Sequence, residues 1–289
     1  MTARSQDGEL PGRPLSLAHL SALQLTPAEL VRGAAAAGFD MVGALRLTPT
    51  SDGSGHAVLT DPRLRRETEL ALADTGLPVL DVEVFRLRPD SRARDAEPLV
   101  EAGAALGARF VLCTVEDPEP VRRAQGFAAV CALASSYGLT CMLEPMVFSA
   151  VRTPAEADDL LQLGGRPPAG ILVDALHLFR AGGTVADVAA LDPGLLPYAQ
   201  LCDAAGTGPA PSREAAIREA VGHRLAPGEG RLPLDDLLGA VPPGAPVSVE
   251  APHPSALDDP HRWIRHLAVA TRRVLGPDRP VAALSEEPA

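Results

Sequence analysis

Four short apolar runs in the second half of the chain end on, or carry, a polar side chain. Glu144 follows Cys-Met-Leu, Asp174 follows Ile-Leu-Val, Glu250 follows Val-Ser-Val, and a fourth run carries Gln200. If the runs are neighbouring parallel strands, these side chains meet at one edge of the sheet, where several carboxylates cannot all stay ionised without a cation or protons. A divalent metal ion resolves that cost, and the three carboxylates therefore predict a metal site.

The acids have a plain alternative explanation, because Asp and Glu also cap the helices that follow strands. Their repetition at the ends of three strand-like runs favours a shared site. Glu144 and Glu250 are then the candidate catalytic residues, since two carboxylates beside a carbon acid can remove a proton on one face and return one on the other. Such proton transfer gives epimerisation or isomerisation, and loss of a β-hydroxyl group from the same enolate gives dehydration.

Eight apolar, often β-branched runs predict the strands that position these residues. They are Leu15–Leu20, Met41–Leu45, Val79–Phe85, Phe110–Val115, Thr140–Met146, Gly170–Ala175, Tyr198–Cys202 and Val247–Glu250. Most of them start about 30 residues apart, the length of one βα unit. Eight such units predict an α/β fold, a single (β/α)8 TIM barrel with a parallel eight-stranded sheet. An open doubly wound sheet is the alternative, but no glycine-rich turn follows the first run.

The segments between the runs carry helix signals. Thr26-Pro27-Ala28-Glu29 and Thr153-Pro154-Ala155-Glu156 predict capping boxes, and Asp61 followed by Pro62 predicts another helix start. The domain organisation expected from these patterns is a flexible lead-in over residues 1–13, the barrel over 14–275, and a loose tail over 276–289.

Composition excludes several function classes. The 289 residues contain no lysine, which removes Schiff-base, pyridoxal-phosphate and P-loop chemistry. A net charge of −11 argues against nucleic acid as a partner, and the apolar runs are too short for a membrane span. The four cysteines form no C-x-x-C pair and predict reduced thiols in a cytoplasmic protein. The expected partner is a small-molecule substrate, with a homo-oligomer left open.

The order and spacing of several motifs resemble the xylose-isomerase-like barrel family. The motifs are Leu143-Glu144-Pro145, Val173-Asp174-Ala175-Leu176-His177, Gln200-Leu201-Cys202-Asp203, Arg224-Leu225-Ala226-Pro227-Gly228-Glu229-Gly230 and Val249-Glu250. This family contains sugar isomerases and epimerases, dehydratases and a class of apurinic endonucleases. The resemblance implies the same barrel and a divalent metal.

By this resemblance, Glu144, Asp174 and Glu250 match metal ligands, and Gln200 stands where the family usually has a histidine. An oxygen-rich ligand set with several anions favours Mn²⁺ or Mg²⁺ over Zn²⁺. Alternatively, Gln200 contacts substrate.

The resemblance also implies that His177 and Arg224 contact substrate. His19 on the first strand and Glu83 on the third are further candidates to line the substrate site, with Arg86 as a candidate ion-pair partner of Glu83.

These features predict first a metal-dependent isomerase or epimerase of a sugar or related hydroxy-ketone, working through an ene-diolate. A metal-dependent dehydratase of a keto-cyclitol or similar hydroxy-ketone is the second possibility. A non-catalytic binding barrel that has lost its metal is the third, and Gln200 is its support. An apurinic endonuclease fits poorly, because that branch needs a histidine-rich zinc site and a basic groove.

Overall fold

The computed structural model of the protein describes residues 12–49 and 53–276. Eight β-strands run through these ranges, two of them interrupted by one residue. They are β1 (Leu15–Ala18), β2 (Met41–Gly43 and Leu45–Arg46), β3 (Asp81–Leu87), β4 (Phe110–Val115), β5 (Thr140–Leu143), β6 (Ala169–Ile171 and Val173–Asp174), β7 (Ala199–Leu201) and β8 (Val247–Val249). Each overlaps one of the eight predicted runs.

Helices connect the strands. They are α1 (Pro27–Ala36), α2 (Pro62–Thr75), α3 (Glu97–Ala105), α4 (Pro120–Ser136), α5 (Pro154–Leu163), α6 (Ala175–Arg180), α7 (Val185–Ala189), α8 (Arg213–Gly222), α9 (Leu234–Ala240), α10 (Pro254–Asp258) and α11 (Pro260–Leu275), with 3-10 turns at His19–Ala22, Ala93–Ala96 and Pro193–Leu195. Within the described ranges, no helix combines the length and the apolar character that crossing a bilayer requires. Residues 1–11 and 277–289, which hold most of the predicted lead-in and tail, lie outside the described residues.

The strands pair in parallel around a ring. The two interrupted strands each belong to both five-stranded groups, because their first and second halves pair with different neighbours. β8 then pairs with β1, with Val249 opposite Leu17. The hydrogen-bonded pairs return to the starting strand, and the predicted (β/α)8 barrel is confirmed.

The helix starts follow the predicted caps. The Thr26 hydroxyl accepts the Glu29 N–H while the Glu29 carboxylate accepts the Thr26 N–H, which completes a capping box. Asp61 accepts hydrogen bonds from the first turn of α2. Thr153 caps α5 in the same way, but the Glu156 carboxylate accepts the N–H of Arg152 instead, so only half of this second box forms.

The barrel interior holds an apolar layer with one buried polar pair beside it. The apolar side chains are those of Met41, Leu80, Phe110, Leu112, Met142 and Leu172. The Tyr198 hydroxyl donates to the fully buried Asp81 carboxylate at 2.9 Å, and the Ala44 N–H donates to the same carboxylate at 2.8 Å. Ala44 interrupts β2 with a φ of 44°. A side chain at Gly43 would lie 2.5 Å from Asp81, so glycine leaves room for the carboxylate.

Candidate metal and catalytic site

Glu144, Asp174 and Glu250 lie together at the carboxyl ends of β5, β6 and β8. Each can offer one oxygen so that the three atoms lie within 4.8 Å of one another. Their residues are only 6%, 1% and 4% exposed. The structure therefore brings the three predicted carboxylates to one buried place at the mouth of the barrel, where the active sites of such barrels lie.

Arg224 is the cation among these carboxylates. Its Nη1 lies 2.7 Å from Asp174 Oδ2, and its Nη2 lies 2.8 Å from Glu250 Oε2. Nε donates to the Ala220 carbonyl and Nη1 to the carbonyl of Glu250. The guanidinium is thus bonded to the protein on every nitrogen, and it holds two of the carboxylates in place.

The carboxyl groups differ in their affinity for protons. Burial raises the pKa of Glu144 well above its ordinary value, and the charges of Glu250 and Asp174 add to this. Burial likewise raises the pKa of Glu250 to about 8, although Arg224 opposes the shift. For Asp174, burial is outweighed by Arg224, His177 and their hydrogen bonds, so its pKa is lowered. Burial therefore favours the protonated form of the two glutamates, whereas Arg224 favours the ionised form of the aspartate beside them.

Gln200 lies on β7 opposite Asp174 and Ser248 in the strand register. It is fully buried, and neither its amide oxygen nor its amide nitrogen has a hydrogen-bond partner among the described residues. A buried amide without partners is costly. The position next to Asp174, together with these unused atoms, marks Gln200 as available to a ligand that the protein itself does not supply.

His177 faces the same cavity from the first turn of α6. Asp174 Oδ1 accepts the His177 N–H at 2.8 Å and so caps this helix. His177 Nε2 lies 3.9 Å from Glu144, too far for a direct hydrogen bond. Burial lowers the pKa of His177 to about 4, so its ring is neutral. Phe148 packs edge-on against the ring, with 5.2 Å between centroids, and fixes its orientation.

A second ion pair lies across the mouth. Arg46 Nη2 contacts Glu83 Oε1 at 2.7 Å, and both side chains are buried. Arg46, which the sequence analysis missed, is thus the partner of Glu83. The proposed partner Arg86 lies instead 3.6 Å from Glu116. The sequence does contain a signal for Arg46, because a basic residue directly follows the apolar run Met-Val-Gly-Ala-Leu.

His19 lies behind this pair, away from the cavity lining. Its Nε2 contacts the Leu25 carbonyl at 2.9 Å, and its Nδ1 accepts the N–H of Arg46 at 3.2 Å. Because both ring nitrogens are bonded to the backbone, we assign His19 to positioning β2 and leave it out of the proposed substrate site.

The loop after Arg224 is tied to β7 through Asp203. The Asp203 carboxylate accepts the N–H groups of Gly228 and Leu232. A side chain at Gly230 would lie 2.3 Å from both the Asp203 carboxylate and the Ala204 carbonyl, so only glycine fits. These contacts fix the segment that carries Arg224 into the mouth.

The donor set fits a divalent cation. Three carboxyl groups converge on one buried place, Gln200 lies beside Asp174 in the strand register with its amide unpartnered among the described residues, and Arg224 supplies a single positive charge. Oxygen donors with several negative charges are typical of Mn²⁺ and Mg²⁺ sites. The residues that would hold such an ion are Glu144, Asp174, Gln200 and Glu250.

The profile of the xylose isomerase-like TIM barrel family matches residues 31–273, and the chain belongs to that family. No curated protein matches it at a significant level.

Three solved structures show how widely the fold is used. A structure of the IolI protein with a bound zinc atom is 17% identical, with a TM-score of 0.72, and covers 91% of this chain and 98% of its own. The probable 3-DHS dehydratase AsbF from Bacillus anthracis is 14% identical, with a TM-score of 0.70, and the match covers 90% of this chain and 99% of the AsbF chain. The 3-keto-D-glucoside 4-epimerase YcjR from E. coli is 16% identical, with a TM-score of 0.65, and the match covers 90% of this chain and 99% of the YcjR chain. At these identities the likeness concerns the fold.

Proposed function

We propose that the protein is a divalent-metal-dependent isomerase or epimerase of a sugar-like hydroxy-ketone. The observation that carries this proposal is the pair of buried glutamates, Glu144 and Glu250, which share the mouth of the barrel and both bind protons more tightly than an ordinary glutamate. Two carboxyl groups beside a carbon acid can remove a proton on one face and return one on the other. The zinc-bound and epimerase structures of the same fold support the proposal.

The chain's own residues supply most of the chemistry. In its carboxylate form, one glutamate removes the proton next to the substrate carbonyl, and the other, in its acid form, returns a proton to the carbon. Arg224 holds Glu250 and Asp174 in place, and the neutral His177 ring can donate a hydrogen bond to a substrate oxygen. A bound divalent ion would stabilise negative charge on the substrate oxygens.

A dehydratase is the second proposal. A protonated carboxyl beside a carboxylate can also assist the departure of a β-hydroxyl group, and the 3-DHS dehydratase structure has the same fold. The non-catalytic alternative has its own support, because Arg224 already neutralises part of the charge on Asp174 and Glu250. Titration calorimetry with Mn²⁺ and Mg²⁺ tests this alternative. If the protein binds neither ion, the result supports a non-catalytic barrel that has lost its metal.

The test of the enzymatic proposals is incubation with keto-sugars in D₂O, using methyl 3-keto-β-D-glucopyranoside and ketohexoses as probes. Deuterium in recovered sugar supports isomerase or epimerase chemistry, and loss of water with a new ultraviolet chromophore supports dehydration. Glu250→Gln should lower deuterium incorporation by roughly 10²–10⁴-fold, because it removes a proton carrier. Glu229→Gln, which changes a half-exposed glutamate paired with His266, is the matched control and should leave the rate unchanged. Full exchange in Glu250→Gln would remove Glu250 from the mechanism.

We further propose a small-molecule substrate and a cytoplasmic location. The four cysteines are all buried, free thiols, which suits a reducing compartment.

A further inference from the structure

Two cavities of very different size meet at the mouth of the barrel. The catalytic cavity, with Glu144, His177, Arg224 and Glu250 in its wall, has a volume of about 100 Å³. A neighbouring cavity of about 430 Å³ lies between the turn after β1, the end of α8 and the helix α10. Leu20 and Val221 belong to the walls of both cavities, so the two spaces adjoin.

The sizes bear on the substrate. Cavities that hold small molecules usually have volumes of roughly 300–1,000 Å³. The catalytic cavity falls below that range and can take only the reacting part of a substrate, whereas the neighbouring cavity falls within it. If the ketone of a substrate lies among the carboxylates, the rest of the substrate therefore extends past Leu20 and Val221 into the larger cavity.

The larger cavity is lined mainly by apolar side chains. They include Leu20, Leu23, Val221, Pro252, Pro254 and Leu257. Val221 is 56% exposed and Leu257 is 75% exposed, which places two of the five exposed large hydrophobic side chains of the described residues on this one surface. Concentrated apolar exposure of this kind marks a binding site.

Two polar groups in the lining, those of Ser21 and Gln24, are already bonded to the protein. The Ser21 hydroxyl donates to the Val249 carbonyl at 3.1 Å and accepts the Ala251 N–H at 2.9 Å. The Gln24 amide donates to the Ala256 carbonyl. Ser54, His223 and His253 are the other polar residues of the lining, and apolar side chains form most of the wall, which suits a hydrocarbon group.

From the shared wall, the sizes and the lining, we infer that the larger cavity binds an apolar group attached to the substrate. The substrate class is a hydroxy-ketone with an aliphatic or aromatic substituent, such as a keto-glycoside of an apolar alcohol, rather than a free sugar. This inference rests on the proposed function for the position of the keto group. It adds a specificity site, in which Leu257 and Val221 contact the substituent.

The experiment compares the binding of hexyl and methyl 3-keto-β-D-glucopyranoside by calorimetry. Each buried methylene is worth roughly fourfold in affinity, so the hexyl compound should bind at least about tenfold more tightly. Leu257→Glu, which places a charge in the apolar wall, should remove most of this preference. Leu163→Glu alters another exposed leucine, 54% exposed at the end of α5, and should preserve it.

Binding and turnover separate the two proposals. Tighter hexyl binding that is lost in Leu257→Glu supports the apolar site even if no probe exchanges deuterium, in which case only the proposed function fails. Equal affinity for the two compounds overturns the inference even if both are turned over. A preference that Leu257→Glu leaves intact, or no binding of either compound, also overturns it.

Discussion

Two buried arginines lie at the mouth of the barrel, and they have different electrostatic surroundings. Arg46 pairs with Glu83, which is directly opposite it in the register of β2 and β3. Arg224 pairs with both Asp174 and Glu250, and Glu144 lies beside that pair. The first pair balances its own charge, whereas the second cluster has three carboxyl groups for one guanidinium. Only the second region therefore has more carboxyl groups than guanidinium groups, and a bound cation can displace protons from the excess carboxyl groups.

The largest expected effect comes from removing each arginine in turn. Arg224→Met leaves three buried carboxyl groups without their cation and should lower the free energy of unfolding by about 3–5 kcal/mol. Arg46→Met removes the partner of a single carboxyl group and should cost about 1–3 kcal/mol. Urea unfolding of both variants at pH 7 measures the difference.

The effect of Mn²⁺ on stability is a second test of the difference between the two arginine regions. A cation that binds only the folded protein raises its stability, and it should do so more where negative charge is left uncompensated. Added Mn²⁺ should therefore raise the unfolding midpoint of Arg224→Met more than that of the native protein, and leave Arg46→Met with the native response. If the two variants lose equal stability and respond equally to Mn²⁺, the assignment of the excess charge to the Arg224 cluster is wrong.

Asp81 lies two residues before Glu83, and among the described residues no arginine forms an ion pair with it. Burial raises its pKa to about 7, although the hydrogen bonds from Ala44 and Tyr198 oppose the shift. Between about pH 4 and pH 7 the folded protein holds one proton more than the unfolded chain, so the contribution of Asp81 to stability falls as the pH rises through this range. Asp81→Asn should remove that loss and raise the free energy of unfolding at pH 8 by about 1–3 kcal/mol.

An asparagine can bond to the same two groups: its oxygen accepts the Ala44 N–H, and its amide donates to the Tyr198 hydroxyl oxygen, which reverses the direction of that bond. Urea unfolding at pH 5, 6, 7 and 8 checks the effect, with Asp74→Asn on the exposed face of α2 as the control. A gain that is the same at pH 5 and pH 8 would show that the Asp81 charge is not its cause.

The two arginines also show how much of the site could be predicted from the sequence. The eight strands and the three carboxylates were predictable, because apolar runs with an acid at the end follow from strand periodicity and barrel topology. The Arg46–Glu83 pair was missed, since it depends on the register between β2 and β3 and on the break at Ala44. The place of Arg224 in the family motif was visible, but its bonds to Asp174 and Glu250 depend on how a loop folds back into the mouth.

The smallest expected effect tests whether Gln200 belongs with the carboxylates. Its unpartnered amide adjoins Asp174, and an imidazole there would add a nitrogen donor, which Zn²⁺ prefers to an amide oxygen. Gln200→His should therefore raise the affinity for Zn²⁺ by about tenfold in calorimetric titration, and raise that for Mg²⁺ little or not at all. Gln162→His on the exposed face of α5 controls for a new surface histidine. An unchanged Zn²⁺ affinity would mean that position 200 does not reach the ion, and the cation would then depend on Glu144, Asp174 and Glu250 alone.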